Sequence, residues 1–314
     1  MTDELSVGLD SVLDVLRARH LAGNRTDDHR VALVIEGGSS RSAYSSGMVV
    51  AIEELGITGL FDDVYGASAG ALNAAWLLCG RAGASMHAWW DPEIMNRVIR
   101  PRHALRGRPV VDTAYLVHTV YEHLVPMDFA AILASDIGFH PTATDAATGR
   151  AVDLQPLIHD VASLQAALRA TTCMPVLTGP PVRMGDSEFI DAGVAECVPI
   201  HTARAAGATH VVALRTRRAD EIPRPANRFE DVFVTRYLRR HAPGAIGAWR
   251  GRAAERLREE RELETAGVLQ VRPPLQSRTV RRTARDTEAL REVVELGRQA
   301  ALEALQGVVD LPSR

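Results

Sequence analysis

Lysine is absent from this chain: all 36 basic residues among its 314 are arginine. Together with abundant alanine, that points to a compositional bias of the genome rather than to a function. A large excess of positive charge is also missing. The net charge is −3 and the isoelectric point near 6.4, so nothing global points to nucleic acid as a partner. Cysteine is scarce. Cys79, Cys173 and Cys197 are odd in number and lack metal-ligand spacing, which argues against a disulfide framework and a zinc site and for a reducing, cytoplasmic compartment. No run approaches the ~18 consecutive apolar residues of a membrane span. Met1-Thr2-Asp3-Glu4 has no basic segment leading into an apolar one, so secretion by a standard signal is not expected. Internal repeats and low-complexity linkers are absent as well.

What is present suits a globular protein with a large core: 46% hydrophobic and 24% charged residues. The length allows either two domains or one α/β domain with additions. Residues 4–19 place Leu5, Leu9, Val12, Leu13 and Leu16 on one helical face, the pattern of an amphipathic helix that docks on its own domain. The segment from Gly23 to Asp28 reads as a polar connection.

The most informative stretch is Gly66-Ala67-Ser68-Ala69-Gly70, preceded by Phe61-Asp62-Asp63-Val64-Tyr65 and followed by a helix-forming run from Ala71 to Leu78. A serine among small residues between a strand and a helix fits a nucleophile elbow. Gly66 and Gly70 allow a tight turn and close helix packing, and Ser68 would sit at a helix N-terminus, where developing negative charge is favoured. The same residues also make an ordinary strand-to-helix turn.

Upstream, Val31-Ala32-Leu33-Val34-Ile35 has the continuous apolar character of a strand buried on both faces. It runs into Glu36-Gly37-Gly38-Ser39-Ser40-Arg41-Ser42-Ala43-Tyr44-Ser45-Ser46-Gly47, after which Met48 to Leu55 reads as a helix. A glycine-rich loop in this position offers free amides to an anion. The glycines do not match the three-glycine dinucleotide spacing, so the oxyanion of an acyl-transfer intermediate is the better candidate.

Strand, glycine-rich loop with an arginine, helix and Gly-x-Ser-x-Gly together resemble the start of the patatin-like phospholipases, in their bacterial branch. The family loop runs Gly-Gly-Gly-x-Arg-Gly, against Gly37-Gly38-Ser39-Ser40-Arg41-Ser42 here, with two glycines replaced by serine. The resemblance implies a three-layer α/β fold with a central, mostly parallel sheet, a nucleophile elbow and a helical C-terminal extension. The corresponding division is an N-terminal helix and connection at 1–28, a catalytic domain at 29–216 and an extension packed on it at 217–314.

Residues 84–135 read as short helices in the order of the segment that the family places beside its active-site cleft. Beyond them, Ile137 to Asp145 reads as a strand, Ala151 to Leu154 as a short one, and Ser163 to Thr172 as a helix. A hairpin with its tip at Met184-Gly185-Asp186-Ser187 delivers Asp191-Ala192-Gly193-Val194. In the resembled family a strand ends in Asp-Gly-Gly or Asp-Gly-Ala, whose aspartate completes a serine–aspartate dyad, and Asp191 holds that position. An isolated aspartate–glycine pair otherwise caps a turn. His201 and His210 follow in the order a triad would need, but their settings at a helix start and a strand start point to local roles.

The resemblance therefore implies a serine acyl hydrolase acting on lipid esters, phospholipid or lysophospholipid. Ser68 and Asp191 would be catalytic, the amides of Gly37, Gly38 and Ser39 would form the oxyanion hole, and Arg41 would hold the loop or bind an anion. No metal or organic cofactor is needed. A general carboxylesterase or thioesterase, or an acyl-binding protein on the same fold, remains an alternative. Between Arg215 and Arg261 the chain carries 13 arginines against 7 acidic residues, interrupted by Pro223, Pro225 and Pro243. That segment reads either as a solvated helical face or as one drawn to anionic lipid headgroups at a membrane surface. Residues 267–274 read as a last strand and 286–305 as a final amphipathic helix.

Overall fold

The computed structural model describes residues 11–221 and 228–310. The apolar run at the start of the sequence pattern forms β1 (Val31–Ile35), every residue of which is buried. Before it stands α1 (Val12–Ala22), stopped by Gly23, whose left-handed backbone lets its N–H reach the Arg19 carbonyl. The helix thus extends three residues beyond the expected end, and the expected turns before residue 11 lie outside the described residues. Buried Arg19 ties α1 to the body of the fold by donating to Asp27 and Asp62.

After β1 come a 3-10 turn (Ser39–Ser42), α2 (Ala43–Glu54), β2 (Asp63–Ala67) and α3 (Ala69–Leu78). The helix expected to begin at Met48 begins at Ala43 instead, because Gly47 is a packing glycine within it rather than part of the loop. Short helices follow as α4 (Ala82–Ser85), α5 (Pro92–Val98), α6 (Thr113–Tyr115), continued by a π-helical stretch (Leu116–Leu124), and α7 (Phe129–Leu133). The chain then forms β3 (Gly138–Asp145), β4 (Ala151–Asp153) and α8 (Val161–Thr171), followed by the expected hairpin β5 (Val182–Met184) and β6 (Ser187–Ile190). Next are α9 (Ile200–Ala205), β7 (His210–Leu214), α10 (Arg228–His241), α11 (Ile246–Leu263), β8 (Val268–Val271) and α12 (Thr287–Leu305). Pro223 and Pro225 lie outside the described residues.

The described strands make one mixed sheet in the order β5-β6-β3-β2-β1-β7-β8, with β4 paired to β3. The run from β3 to β8 is parallel, and β4, β5 and β6 add antiparallel pairs. Helices cover the sheet. β1 has β2 and β3 on one side and β7 and β8 on the other, so the chain changes its direction of travel at β1. Ligands of open α/β sheets bind at that switch, outside the carboxyl ends of the strands. At the opposite end, His140 stacks on Tyr65 and bonds Asp153 and Asp63 at 2.7 and 3.0 Å, a polar staple remote from that crevice.

The described residues beyond 217 are built into this body: β8 pairs with β7, and α12 lies directly on α2. The contact requires glycine on both helices. A Cβ at Gly47 would lie 1.8 Å from the Val294 carbonyl oxygen, and one at Gly297 would lie 2.0 Å from that of Tyr44. Among the described residues no helix is long and apolar enough to cross a membrane.

Gly297→Ala is expected to lower unfolding free energy by roughly 3 kcal/mol, since overpacking against backbone cannot relax through a rotamer. Gly251→Ala on α11, where a Cβ would meet open space, should change it little or raise it slightly. Urea denaturation of the two variants tests this, and equal effects would contradict it.

Candidate active site

The elbow lies between β2 and α3. Ser68 is held at φ 52° and ψ −129°, a left-handed region that favours glycine. A non-glycine residue there carries strain of about 1–3 kcal/mol, sustained only by surrounding contacts. Those contacts are visible: Ser68 N–H donates to Thr171 Oγ1 at 2.8 Å, and the Ser68 carbonyl accepts from Ala71 N–H at 2.9 Å. Close approach does the rest. A Cβ at Gly70 would lie 2.5 Å from the Ile35 carbonyl oxygen, and one at Gly66 would lie 2.4 Å from Ala71 Cα.

Asp191 follows β6 and is fixed on every side. Its N–H donates to the Cys173 carbonyl at 2.8 Å, its own carbonyl accepts from Thr144 Oγ1 at 2.9 Å, and Oδ1 accepts from Gly193 N–H at 2.9 Å. The remaining oxygen, Oδ2, accepts a hydrogen bond from Ser68 Oγ at 2.7 Å. Ser68 is 5% exposed and Asp191 is 7% exposed. Burial raises the Asp191 carboxyl above its ordinary value, against the opposing hydrogen bonds from Ser68 and Gly193. A stronger base than a free aspartate therefore faces the serine hydroxyl.

The glycine-rich loop places its three amides differently from one another. Gly37 N–H donates to the Cys197 carbonyl at 2.9 Å, which commits that amide to the fold. The Gly38 and Ser39 N–H groups have no acceptor among the described residues. Ser39 takes the positive φ of 52° that a glycine would accept more easily. Its hydroxyl donates to the Arg282 carbonyl at 2.7 Å; Ser40 N–H reaches the same carbonyl at 3.1 Å, and Ser40 Oγ reaches that of Ala284 at 3.0 Å. Ser39, in place of a glycine, and Ser40 beside it thus strap the loop to the segment before α12, whereas the Ser42 hydroxyl, in place of the other glycine, is buried with no hydrogen-bond partner among the described residues. Ser42 has an ordinary helical backbone, φ −67°.

Glu36 roots the loop. Its buried carboxylate accepts from Arg215 Nε at 3.0 Å and Thr216 N–H at 2.8 Å and pairs with Arg217 at 3.4 Å. Burial would raise its pKa, but the charges of Arg215, Arg217 and Arg41 outweigh that and hold it at about 2. Arg41 Nε is buried without a hydrogen-bond partner among the described residues. The arginine-rich segment is likewise not a plain solvated face, because Arg215, Arg217, Arg252 and Arg256 are buried.

Two cavities meet at Ser68. The first, about 300 Å³, is lined by Gly38, Arg41, Asp191, Trp249, Arg256 and Arg282 among others. The second, about 80 Å³, is apolar, with Leu72, Trp76, Ile94, Met95, Val98 and Tyr121 in its wall. Ser39, Ser68 and Met174 line both. No histidine lines either one. His201 lies 3.7 Å from Glu255, and His210 packs edge-on against His29. The cysteines are buried and unpaired with one another, and among the described residues no group of three or more metal-ligating side chains is gathered. Thr144, Thr171, Arg256 and Arg282 carry no local sequence signal, since each reaches the site from a distant segment.

The fold is of the α/β class, with a serine at a strained strand–helix turn hydrogen-bonded to a buried aspartate at the carboxyl ends of the parallel strands. The family model described as Patatin-like phospholipase matches residues 33–204, more than half of the chain, and the chain belongs to that family. Family membership suggests hydrolase activity on lipid-like substrates. The chain is also 25% identical over 191 residues to the Escherichia coli (strain K12) protein "Uncharacterized protein YjjU", covering 60% of this chain and 52% of that one. It therefore spans about half the length of this curated relative.

Glu36→Gln should destabilise the fold by about 3 kcal/mol at neutral pH, because Arg215 and Arg217 lose a buried counter-charge. The folded pKa of about 2 lies below the ordinary 4.5, so the stabilisation is complete above pH 4.5 and is lost as the pH falls through about 2. Denaturation curves should accordingly show the wild-type advantage shrinking over that window. An advantage independent of pH would contradict it.

Proposed function

We propose that this protein is a serine acyl hydrolase that cleaves lipid carboxylic esters, of phospholipid or lysophospholipid type, with Ser68 and Asp191 as a catalytic dyad. The observation that carries the reading is the 2.7 Å hydrogen bond from Ser68 Oγ to Asp191 Oδ2 at the meeting point of two cavities, one apolar and one with three arginines in its wall. In the first step Asp191 takes the Ser68 proton as Oγ attacks the ester carbonyl carbon. The amides of Gly38 and Ser39 stabilise the oxyanion, while Gly37, whose N–H is already engaged, positions the loop. Collapse of the tetrahedral intermediate breaks the bond to the alcohol, which leaves with the proton from Asp191. Water, deprotonated by Asp191, then attacks the acyl-enzyme carbonyl; collapse breaks the bond to Ser68 Oγ, which takes the proton back from Asp191, and the acid is released.

The apolar lining of the smaller cavity supports the ester-proximal methylenes of an acyl chain as the occupant on that side. In this reading residues 29–216 carry the chemistry, the described residues of 1–28 brace it, and those of 217–314 form an extension that adds β8 to the sheet and one wall of the arginine-lined cavity. Contact with a lipid surface is supported by α10. Phe229, Val232 and Phe233 are 80%, 64% and 63% exposed on one face, Phe233 lines the cavity mouth, and exposed Arg236 and Arg240 continue that face.

Ser68→Ala and Asp191→Asn should each lower ester turnover by at least about a thousandfold without unfolding the protein. Because Asp191 must be ionised to act and its pKa is raised, kcat/KM should fall on acidification at a pH above the ordinary carboxylate value of 3.8. Turnover in Asp191→Asn close to wild type would remove the dyad. For the lipid surface, Phe229→Ser with Phe233→Ser should weaken sedimentation with anionic vesicles about fivefold, and added salt should weaken it further. Failure of the wild type to bind such vesicles at low salt would remove the surface contact while leaving the chemistry untouched.

A further inference from the structure

Three arginines line the cavity that ends at Ser68, and two of them, Arg256 on α11 and Arg282 before α12, lie outside the matched region 33–204. Arg256 is 8% exposed, and its Nε is buried with no hydrogen-bond partner among the described residues. Arg41 Nε is buried in the same condition. Arg41 and Arg256 both line the cavity, and a buried cationic N–H without an acceptor is unfavourable.

The acidic neighbours leave the positive charge in excess. Glu36 is hydrogen-bonded or ion-paired by Arg215, Arg217 and Thr216 N–H and also attracts Arg41, which leaves Arg256 and Arg282 outside its reach. Glu230 approaches Arg252 and Arg282 at 3.9 and 4.0 Å. Glu259, three residues beyond Arg256, accepts from Cys197 N–H at 2.6 Å, and burial pushes its carboxyl up to about 8, so it is mostly uncharged at neutral pH. Asp191 faces Ser68 and Gly193 N–H.

We propose that Arg256 and Arg282, together with Arg41, form a subsite for a phosphate group carried on the alcohol side of the ester. A guanidinium matches phosphate oxygens with two parallel N–H donors and keeps its charge when buried. With the ester-proximal methylenes of the acyl chain in the apolar cavity, the carbonyl lies at Ser68 and the phosphate lies among the arginines, which selects phosphate-bearing acyl esters over neutral glycerides. The assignment of this phosphate to a substrate rests on the proposed hydrolase reading; phosphate binding itself does not.

Calorimetric titration of Ser68→Ala, which cannot consume the ligand, with lysophosphatidic acid and with a monoacylglycerol of the same chain separates the two. The lysophosphatidic acid should bind at least about tenfold more tightly, as expected for charge-assisted hydrogen bonds. Adding Arg256→Met should cut that preference to less than about threefold, whereas Arg256→Lys should retain part of it. If Arg256→Met does not fold, Arg282→Ala carries the test, because the Arg282 side chain is 44% exposed and its loss should still reduce the preference. Inorganic phosphate should compete only weakly; phosphate binding as tight as the lipid would assign the site to free phosphate and overturn the headgroup role. Equal affinity for the two lipids, or a preference unchanged in both arginine variants, would overturn the subsite. A retained preference in a wild-type protein that turns over no ester would uphold the subsite and remove the hydrolase reading instead.

Discussion

The start of α3 lies so close to the end of β1 that only glycine fits between them. At Gly70 a single added carbon would sit 2.5 Å from the Ile35 carbonyl and 2.8 Å from that of Glu36. This contact sets the elbow against the glycine-rich loop, because Glu36 is also the residue at which that loop leaves the sheet. With helix and strand locked at that distance, Ser68 has no freedom to relax its backbone, and its hydroxyl projects toward the carboxyl ends of the strands. The strain at Ser68 is thus held by packing and by the Thr171 hydrogen bond, so that the side chain is fixed in position.

Two buried carboxylates near this turn are driven in opposite directions by their partners. Glu36 is surrounded by arginines and stays ionised as a fixed anchor, held at about 2. Asp191 receives only a hydroxyl and one amide, with no guanidinium in direct contact, and burial raises its affinity for a proton. Burial alone therefore does not determine the role of an acid; the charge of what touches it does. The same division applies to the arginines. Arg215 is matched by Glu36 and Glu260 and is structural, while Arg256, equally hidden, has its Nε unmatched beside an open cavity.

Ser68, its strand and its helix are legible in the sequence because their constraints are local: small residues at fixed spacing permit one kind of turn. The strand and hairpin leading to Asp191 are legible for the same reason, and the order of the motifs indicated the family. Thr144 and Thr171 are not, since a threonine inside a strand or helix looks the same whether or not its hydroxyl holds a distant backbone. Ser39 reads as a costly substitution for glycine, yet its hydroxyl gains the Arg282 carbonyl that joins the loop to the C-terminal segment. The beginning of α2 was obscured because Gly47 looks like a loop residue until α12 is seen lying against it. The arginine-rich stretch hides its burial pattern, because its buried members find partners in segments far away in the chain.

The most direct measurement is covalent labelling of the folded wild-type protein with a serine-reactive fluorophosphonate, followed by mass spectrometry of its peptides. One equivalent of label on the peptide containing Ser68, lost in Ser68→Ala and slowed strongly in Asp191→Asn, is the expected result. A folded protein that takes up no label, or takes it up at a residue other than Ser68, would contradict the assignment of Ser68 as a nucleophile activated by Asp191.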